Sequence, residues 1–407
     1  MQDSKNEKKN LEWLLDQPQD IQFELYKNFI EIAKLHYNQL IEEEMREKAG
    51  EKYSRESTHS RWSSNPGSIR IGSEKVKVDV PRLLNKATGK TETPEYYDKL
   101  HSLDMPTEEV LKKIILGLSQ SDYEKVSRSI TESFGLSQSS VSRRFVKESI
   151  KALEEFENRD LSKHEFLAIV IDGKYLSRDN VVIGLGITTT GVKVPLGFIQ
   201  TTTENSTAVK GLLQNLIERG FRFTGGILAL LDGSKGLRKA VKEVFGEFAI
   251  VQRCQWHKRE NVVSYLSENQ KPVIRGKLQR AYSEPDYEEA KIRLFSIRDE
   301  LKKINISAAN SLEEGMEETL TIHRLGLVEE LGRSFTTTNV IESLNSQLAK
   351  YIRNIKYWIN SEMKSRWIAS ALLEIETRMR RVNNYDKLHL LKTAIKSQLK
   401  LDQQKVA

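Results

Sequence analysis

Cysteine and long apolar runs are almost missing from this sequence. Cys254 is the single cysteine among 407 residues, which excludes an internal disulfide framework and zinc fingers that need several cysteines. No apolar stretch approaches the roughly 18 residues of a membrane span, and residues 2–10 are charged or polar. The sequence therefore predicts a soluble, cytoplasmic protein of about two or three domains, without a membrane partner.

The charge of the chain is weakly basic overall and strongly basic at one end. Lys and Arg number 64 against 57 Asp and Glu, for a net charge of +7. Residues 350–407 alone carry thirteen Lys or Arg against five Asp or Glu. Such a region suits a polyanionic partner such as DNA, but a solvated basic helix face has the same composition.

The first hundred residues predict a helix and then a β-ribbon. Residues 20–52 place apolar side chains near helical spacing, which is typical of a packing or assembly helix. Ser68–Ile71 and Glu74–Val80 alternate polar and apolar residues around Gly72–Ser73, and Pro81 follows. This pattern predicts a small basic β-ribbon that ends at the proline.

Residues 107–153 return to helical patterning, interrupted at Phe134–Ser137. The interruption predicts a turn between a helix over Asp122–Ser133 and a second helix capped by Ser137. The first turns of that second helix hold short polar and basic side chains that could reach base edges and phosphates: Gln138, Ser139, Ser140, Ser142, Arg143 and Arg144. The pattern resembles a helix-turn-helix, although a plain helical pair has the same signal.

After Lys163 the pattern changes to short β-branched strands and amphipathic helices. The predicted strands are Phe166–Ile171, Val181–Thr189, Val192–Gln200, Gly226–Leu231 and Phe248–Gln252, with helices at Ser206–Arg219 and Ser234–Phe245. This β-β-β-α-β-α-β order is that of a ribonuclease H-like fold, in which the first and fourth strands lie side by side. Residues 256–333 then read as helix throughout, and another helix follows Asn339.

Two of the apolar strands lead into Asp-Gly, at Asp172–Gly173 and Asp232–Gly233. Sheet ligands gather at the carboxyl ends of strands, so neighbouring strands would bring the two carboxylates together. With Glu342 on the later helix they could hold a pair of Mg²⁺ ions, which prefer oxygen ligands and for which Mn²⁺ could substitute. Each residue also has a structural alternative, because Asp-Gly is a common turn and Glu342 could cap its own helix.

Four motifs together make the pattern specific: Ile171-Asp172-Gly173, Leu231 to Gly236, Arg253 to Lys258 with Asn261, and Thr338 to Asn345. As a set they resemble the bacterial branch of the Mutator-type family of insertion-sequence transposases. The resemblance implies a ribonuclease H-like core with the acidic triad Asp172, Asp232 and Glu342, interrupted by a helical insertion. It also suggests copying out through a circular intermediate.

Cys254 and His257 are three residues apart, which could be half of a zinc site, but the other half is missing. We expect a buried structural cysteine beside a histidine that packs or contacts DNA, with Lys258 as a further DNA contact. The family carries a similar Cys-x-x-His signature near its triad. Glu260 departs from the Arg that relatives commonly show there, which puts a phosphate contact at that position in doubt.

Trp358 and Trp367 lie among basic residues of the C-terminal region. Their rings could stack on DNA bases, but tryptophan at helical spacing is more often a core residue. We expect core packing for both.

These patterns predict a mixed α/β protein with a ribonuclease H-like core and an all-helical insertion, preceded by helical, helix-turn-helix and β-ribbon DNA-binding segments. The predicted division is an N-terminal helical segment at 1–57, a β-ribbon at 58–98, a helix-turn-helix domain at 99–160, the first part of the core at 161–253, a helical insertion at 254–333, the final core helix at 334–354 and a basic helical region at 355–407.

The function expected is that of a DNA transposase acting on nucleoid DNA. It would bind terminal inverted repeats and target DNA, cleave a strand with metal-activated water and then join the freed 3′-OH to the target. Asp172 would bridge both ions, with Asp232 and Glu342 each flanking one. Because two element ends are held at once, a homodimer or larger assembly is expected. The alternatives are a ribonuclease H-like nuclease without strand transfer, and a non-enzymatic DNA-binding protein derived from a transposon.

Overall fold

The computed structural model describes residues 28–51, 57–71, 74–102, 111, 114–117, 125–126, 138–176, 179–201, 205–355 and 358–406. They fall into two compact units, the first within 1–110 and 127–144 and the second within 111–126 and 145–407. The turns predicted at Gly72–Ser73 and Phe134–Ser137, and most of the helix predicted over Asp122–Ser133, lie outside the described residues. The division into seven segments stays a prediction.

The first unit packs two helices against a three-stranded sheet. Its elements are α1 (Phe29–Ala49), β1 (His59–Ile71), β2 (Glu74–Asn85), β3 (Thr91–Glu92) and α2 (Glu95–Ser102). Tyr37, Ile41 and Met45 of α1 form a small core with Ile69 and Leu83 of the ribbon. The predicted helix and ribbon are confirmed for the described residues.

Pro81 does not end the ribbon as the sequence predicted. Strand β2 continues to Asn85, and Pro81 lies opposite Ser64, next to an irregularity in the register between Arg61 and Ser64. Proline cannot donate to a strand ladder and is tolerated at such irregular positions. The ribbon is therefore longer than the alternating pattern indicated.

The second unit is built on a five-stranded sheet that follows helix α3 (Gln138–Asn158). The strands are β4 (Phe166–Leu176), β5 (Asp179–Thr188), β6 (Lys193–Thr201), β7 (Ile227–Leu231) and β8 (Ala249–Arg253), in the order β6-β5-β4-β7-β8. Strands β4, β5 and β6 are antiparallel neighbours, whereas β4, β7 and β8 run parallel. The predicted pairing of the first and fourth strands is confirmed.

Helices α4 (Ser206–Glu218) and α5 (Lys235–Phe245) cover the sheet with their apolar sides. Leu213 and Leu216 of α4, and Leu237 and Val241 of α5, share one core with Ile169 on β4 and further residues of the sheet. Because β7 is buried along its whole length, it is apolar at every position.

Beyond the sheet the described chain is helical, as predicted. The helices are α6 (Gln255–Ser264), α7 (Lys271–Tyr282), α8 (Tyr287–Ile304), α9 (Ile306–Glu313), α10 (Met316–Thr319), α11 (Thr321–Arg324), α12 (Val328–Phe335), α13 (Asn339–Ile352), α14 (Ser361–Glu376) and α15 (Leu388–Val406). Helices α6 to α9 enclose a core of their own. Helix α13 packs against β4, and α14 against β6. In the described ranges no helix is long and apolar enough to cross a membrane.

Two glycines of β5 provide a test of how tightly the sheet is packed. A Cβ atom on Gly186 would lie 2.5 Å from a ring carbon of Phe166, whereas one on Gly184 would have no neighbour closer than 3.9 Å. Overpacking a close-packed core costs about 1–3 kcal/mol. We expect Gly186→Ala to lower the midpoint of thermal unfolding and Gly184→Ala to leave it unchanged or raise it slightly. Equal midpoints for the two variants would contradict this packing.

Candidate active site

Asp172 and Asp232 emerge from neighbouring strands at one edge of the sheet. In the parallel pairing of β4 with β7, Ile171 lies opposite Leu231, so the two aspartates are the next residues on each strand. Neighbouring strands lie about 4.8 Å apart. Asp172 is only 6% exposed, and Asp232 is half-buried. Two carboxylates that are 60 positions apart in the sequence therefore start from adjacent points of the fold.

The backbone at Asp172 differs from the sequence prediction. Strand β4 does not end before Asp172 but runs on to Leu176, with Asp172 opposite Ile183 and Gly173 opposite Val182. Asp172–Gly173 is therefore not a turn, because pairing with β5 extends the strand. The structural alternative for this dipeptide is wrong.

Asp232–Gly233 does form a tight turn between β7 and α5. Oδ1 of Asp232 accepts the backbone N–H of Ser234 at 2.8 Å. Gly233 has φ 111°, and a Cβ atom there would lie 2.2 Å from Nε of Arg253. Glycine is required at position 233 because this positive φ disfavours other residues and because a Cβ atom would collide with Arg253. The turn holds the Asp232 carboxylate at the end of the strand.

Asn345 connects the buried aspartate to helix α13. Its Nδ2 donates a hydrogen bond of 2.9 Å to Oδ2 of Asp172, and its side chain is almost wholly buried. Glu342 is three residues earlier on the same helix, and residues three apart share a helix face. Asn345 belongs to the Thr338 to Asn345 motif, and its spacing from Glu342 is the signal in the sequence that could have indicated a role beside the triad.

Glu342 has a different local partner from the one the capping alternative requires. Its Oε1 accepts the hydroxyl of Thr338 at 3.1 Å and lies 3.9 Å from Nε2 of His257. The capping alternative required Asn339 as the capping residue, with Glu342 three positions later accepting its backbone N–H. The residue that precedes the helix is instead Thr338, whose side chain makes no capping hydrogen bond. The backbone N–H of Thr338 donates to the sulfur of Cys254 at 3.3 Å. The described contacts therefore do not include the expected capping box.

Cys254 is buried, as predicted, and its sulfur also accepts the hydroxyl of Thr338 at 3.3 Å. His257 lies beside this contact, with Nδ1 3.3 Å from the same hydroxyl. Burial alone would lower the pKa of His257. The sulfur of Cys254 and the carboxylates of Asp172 and Asp232 outweigh burial and raise the pKa to about 9. The negative fields of both aspartates therefore reach the imidazole.

The oxygen atoms at this edge of the sheet suit a hard cation. As the side chains stand, no three His, Cys, Asp or Glu residues in the described ranges are arranged to hold a metal ion. The Glu342 carboxylate is turned toward Thr338 and His257. However, Oδ1 of Asn345 is buried without a hydrogen-bond partner among the described residues. Carboxylate and amide oxygens are the ligands that Mg²⁺ and Ca²⁺ use.

Lys258 is not placed for the DNA contact that the sequence predicted. It is 1% exposed, and its ammonium group donates to the backbone carbonyls of Ser311 and Glu314. Burial lowers its pKa to about 7. Lys258 thus fastens α6 to the end of α9 and does not reach solvent.

The other predicted DNA contacts lie on α3. Gln138, Ser139 and Ser140 form its first turn, but their side chains lie outside the described set; Arg143 is exposed and Arg144 half-buried. DNA contact by these residues stays a prediction.

Three remaining side chains have structural partners. Trp367 is buried against the ring of Phe145, which confirms core packing, whereas Trp358 is half-buried beneath the ammonium group of Lys364. Glu260 accepts two hydrogen bonds from Arg275, at 3.0 and 2.8 Å. Glu260 therefore takes part in an ion pair with Arg275 within the helical region.

Comparison with known proteins identifies the class of enzyme. The chain is 27% identical over 377 residues to the transposase for insertion sequence element IS256 in transposon Tn4001 of Staphylococcus aureus, covering 86% of this chain and 92% of the relative. It is 27% identical over 222 residues to the transposase for IS905 of Lactococcus lactis, covering 53% and 55%. It is 26% identical over 243 residues to the transposase for IS6120 of Mycolicibacterium smegmatis, covering 58% and 73%. These relatives are transposases, a class that cuts and transfers DNA.

Residues 4–381 match the family model described as "Transposase, Mutator family". The chain belongs to the Mutator family of transposases, which confirms the resemblance drawn from its motifs.

The burial of Lys258 leads to a test by substitution. Lys258→Met leaves the carbonyls of Ser311 and Glu314 without their donor, and an unsatisfied buried acceptor costs about 1–3 kcal/mol. We expect a lower thermal midpoint and an unchanged salt dependence of DNA affinity. Lys235→Met is the control, because that side chain is 88% exposed. A shallower salt dependence of binding without a loss of stability would instead indicate a phosphate contact at Lys258.

Proposed function

We propose that this transposase cuts and joins DNA strands at the triad Asp172, Asp232 and Glu342. The observation that carries the proposal is the contact between three elements. Asp172 and Asp232 lie at adjacent points of the neighbouring strands β4 and β7. Asn345 holds α13 against Asp172 by a hydrogen bond, and Glu342 lies on the same face of that helix. The raised pKa of His257 supports it, because both aspartates act on that imidazole and Glu342 lies next to it.

We propose a ribonuclease H-like core for this triad. Its support is the strand order β6-β5-β4-β7-β8, with three antiparallel strands followed by two parallel ones. Helices α6 to α12 would be the insertion between Asp232 and Glu342. Their separate hydrophobic core agrees with an inserted region that folds around itself.

We propose two Mg²⁺ ions as the cofactor, replaceable by Mn²⁺. Asp172, Asp232 and Glu342 would hold them, which requires the Glu342 carboxylate to turn from Thr338 toward the aspartates. Two such metal ions would lower the pKa of water and stabilise a leaving 3′ oxygen. Two features support the binding of Mg²⁺ here: the carboxylate oxygens of the triad, and Oδ1 of Asn345, which has no hydrogen-bond partner among the described residues.

The neighbouring side chains would prepare the triad. Asn345 holds Asp172, the N–H of Ser234 holds Asp232, and Thr338 holds Glu342 until it turns. The sulfur of Cys254 joins the end of β8 to the start of α13 through Thr338. His257 lies beside Glu342 and would contact a DNA phosphate.

The DNA partners would be the terminal inverted repeats and the target. The polar start of α3, with Gln138, Ser139, Ser140, Arg143 and Arg144, and the β-ribbon would bind the repeats. A homodimer or larger assembly would hold two ends at once. A nuclease on the same core is the second candidate, and strand-transfer products formed with labelled element ends distinguish it from a transposase.

Substitution of the triad tests the proposal. Asp172→Asn, Asp232→Asn and Glu342→Gln should each lower strand cleavage by about a thousandfold or more, because losing one ligand of a metal pair removes its electrostatic stabilisation. Cleavage by the wild type should require Mg²⁺ or Mn²⁺, and DNA binding should persist in all three variants.

Glu329→Gln, an exposed glutamate on α12, is the matched control and should cleave normally. If any triad variant retains full cleavage while remaining folded, its residue is not a ligand. If all three variants remain active, the chain does not cut DNA at this site.

Asn345 is proposed as a positioning residue. Loss of a side chain that orients a metal ligand typically costs about 10- to 100-fold in activity or metal affinity. We expect Asn345→Ala to lower cleavage by that factor and to raise the Mg²⁺ concentration needed for half-maximal rate. Gln347→Ala on the same helix should change neither quantity. An unchanged Mg²⁺ requirement in Asn345→Ala would limit Asn345 to a structural role.

A further inference from the structure

A cavity lies beside the start of α6, the helix on which His257 approaches Glu342. Its volume is about 380 Å³, and its walls come from α6, α7, α12 and the segment that leads into α13. Small-molecule sites have volumes of about 300–1,000 Å³. The cavity therefore has room for one nucleotide and is too small for a duplex.

The lining of this cavity is basic, polar and aromatic. Arg333 contributes positive charge, whereas the guanidinium of Arg259 is paired with Glu260 at 3.2 Å and also donates to Gln279. None of the lining residues, all of them described, is acidic. Trp256 is 42% exposed at the wall. An exposed indole face beside cations is the combination by which proteins bind unpaired bases and their phosphates.

Amide and hydroxyl side chains complete the lining of the cavity: those of Gln279, Ser283 and Asn339. Such groups can donate and accept hydrogen bonds. A nucleobase edge carries both donors and acceptors, so it matches this lining.

The cavity is connected to the triad by short, ordered links. Trp256 precedes His257, and their rings meet edge to face at 4.9 Å, while His257 lies 3.9 Å from Glu342. The N–H of Gln255 donates to the carbonyl of Thr336 at 3.0 Å, which joins two of the walls. Asn339 lines the cavity and begins α13, less than one turn before Glu342.

We infer that this cavity accepts a single extrahelical nucleotide of the DNA strand next to the cleaved phosphate. The base stacks on Trp256 and its edge meets the polar lining of the cavity, while the phosphate lies toward Arg333. The inference rests on the proposed function, because the strand is brought there by binding at the triad. Extruding one nucleotide into a fitted pocket would open the duplex where the strand is cut.

Photo-crosslinking tests the inference directly. 5-Iododeoxyuridine replaces one nucleotide at a time in a duplex that spans one end of the mobile element encoding this chain and its flanking DNA. The complex is irradiated in EDTA, and crosslinked peptides are identified by mass spectrometry. We expect one position beside the cleavage point to crosslink to Trp256. Crosslinks outside the cavity, or equal crosslinking to Trp256 from every position, would overturn the inference.

Affinity measurements with full-length variants provide a second test. Trp256→Ala should weaken binding of the same duplex by about 5- to 100-fold, the equivalent of one lost base-stacking contact, and Trp256→Phe should retain most of the affinity. Tyr265→Ala is the control, since Tyr265 is another exposed aromatic directly after α6. Equal affinities for Trp256→Ala and Tyr265→Ala would count against the pocket.

The two proposals can fail separately. Crosslinking in EDTA measures DNA binding without cleavage. Loss of the pocket is therefore detected as a lost crosslink, whereas loss of the triad is detected as lost cleavage. If Trp256 crosslinks at one position but Glu342→Gln cleaves normally, the pocket stands and the triad does not. If Glu342→Gln is inactive and Trp256 never crosslinks, the triad stands and the pocket does not.

Discussion

The hydrogen bond from Asn345 to Asp172 is the interaction on which the arrangement of the site depends. A carboxylate as buried as Asp172 is costly unless donors compensate for lost water, and a helix 173 residues later supplies one of them. Both partners are buried, so sliding or rotating α13 would break this bond where water has little access to replace it. The bond therefore fixes the height and rotation of α13 against β4, and with them the starting point of the Glu342 side chain.

A second constraint holds the N-terminal end of the same helix. The sulfur of Cys254 accepts both the N–H and the hydroxyl of Thr338, directly before α13 begins. Cys254 follows β8, whose neighbour β7 leads to Asp232. Helix α13 is thus bound to β4 through Asn345 and to the end of β8 through Thr338. All three acidic residues are therefore positioned relative to the same edge of the sheet. The single cysteine acts here as a hydrogen-bond acceptor that packs like an apolar side chain.

The sequence was sufficient for the succession of strands and helices in the sheet region, because apolar runs of strand length and helical spacing are local signals. Asp172 and Asp232 could be picked out because each directly follows such an apolar run. It was insufficient wherever a distant segment decided the outcome. Strand β4 continues through Gly173 because β5 pairs with it, and Pro81 is accommodated by an irregularity in the opposite strand. Lys258 was expected to contact DNA, but its ammonium group is buried against backbone carbonyls of residues more than fifty positions later in the chain. Asn345 lacked a visible role because its partner lies on another element.

The start of α6 links the two candidate binding regions. Successive residues of an α-helix are about 100° apart around its axis, since a turn takes 3.6 residues. Trp256 and His257 therefore face different directions from one point of the chain, Trp256 into the cavity and His257 toward Glu342. A DNA strand bound at the triad would pass this helix end. The side chain of His257 could contact a phosphate of that strand, and the ring of Trp256 could stack on an adjacent base. Two neighbouring side chains could thus bind both parts of one nucleotide step.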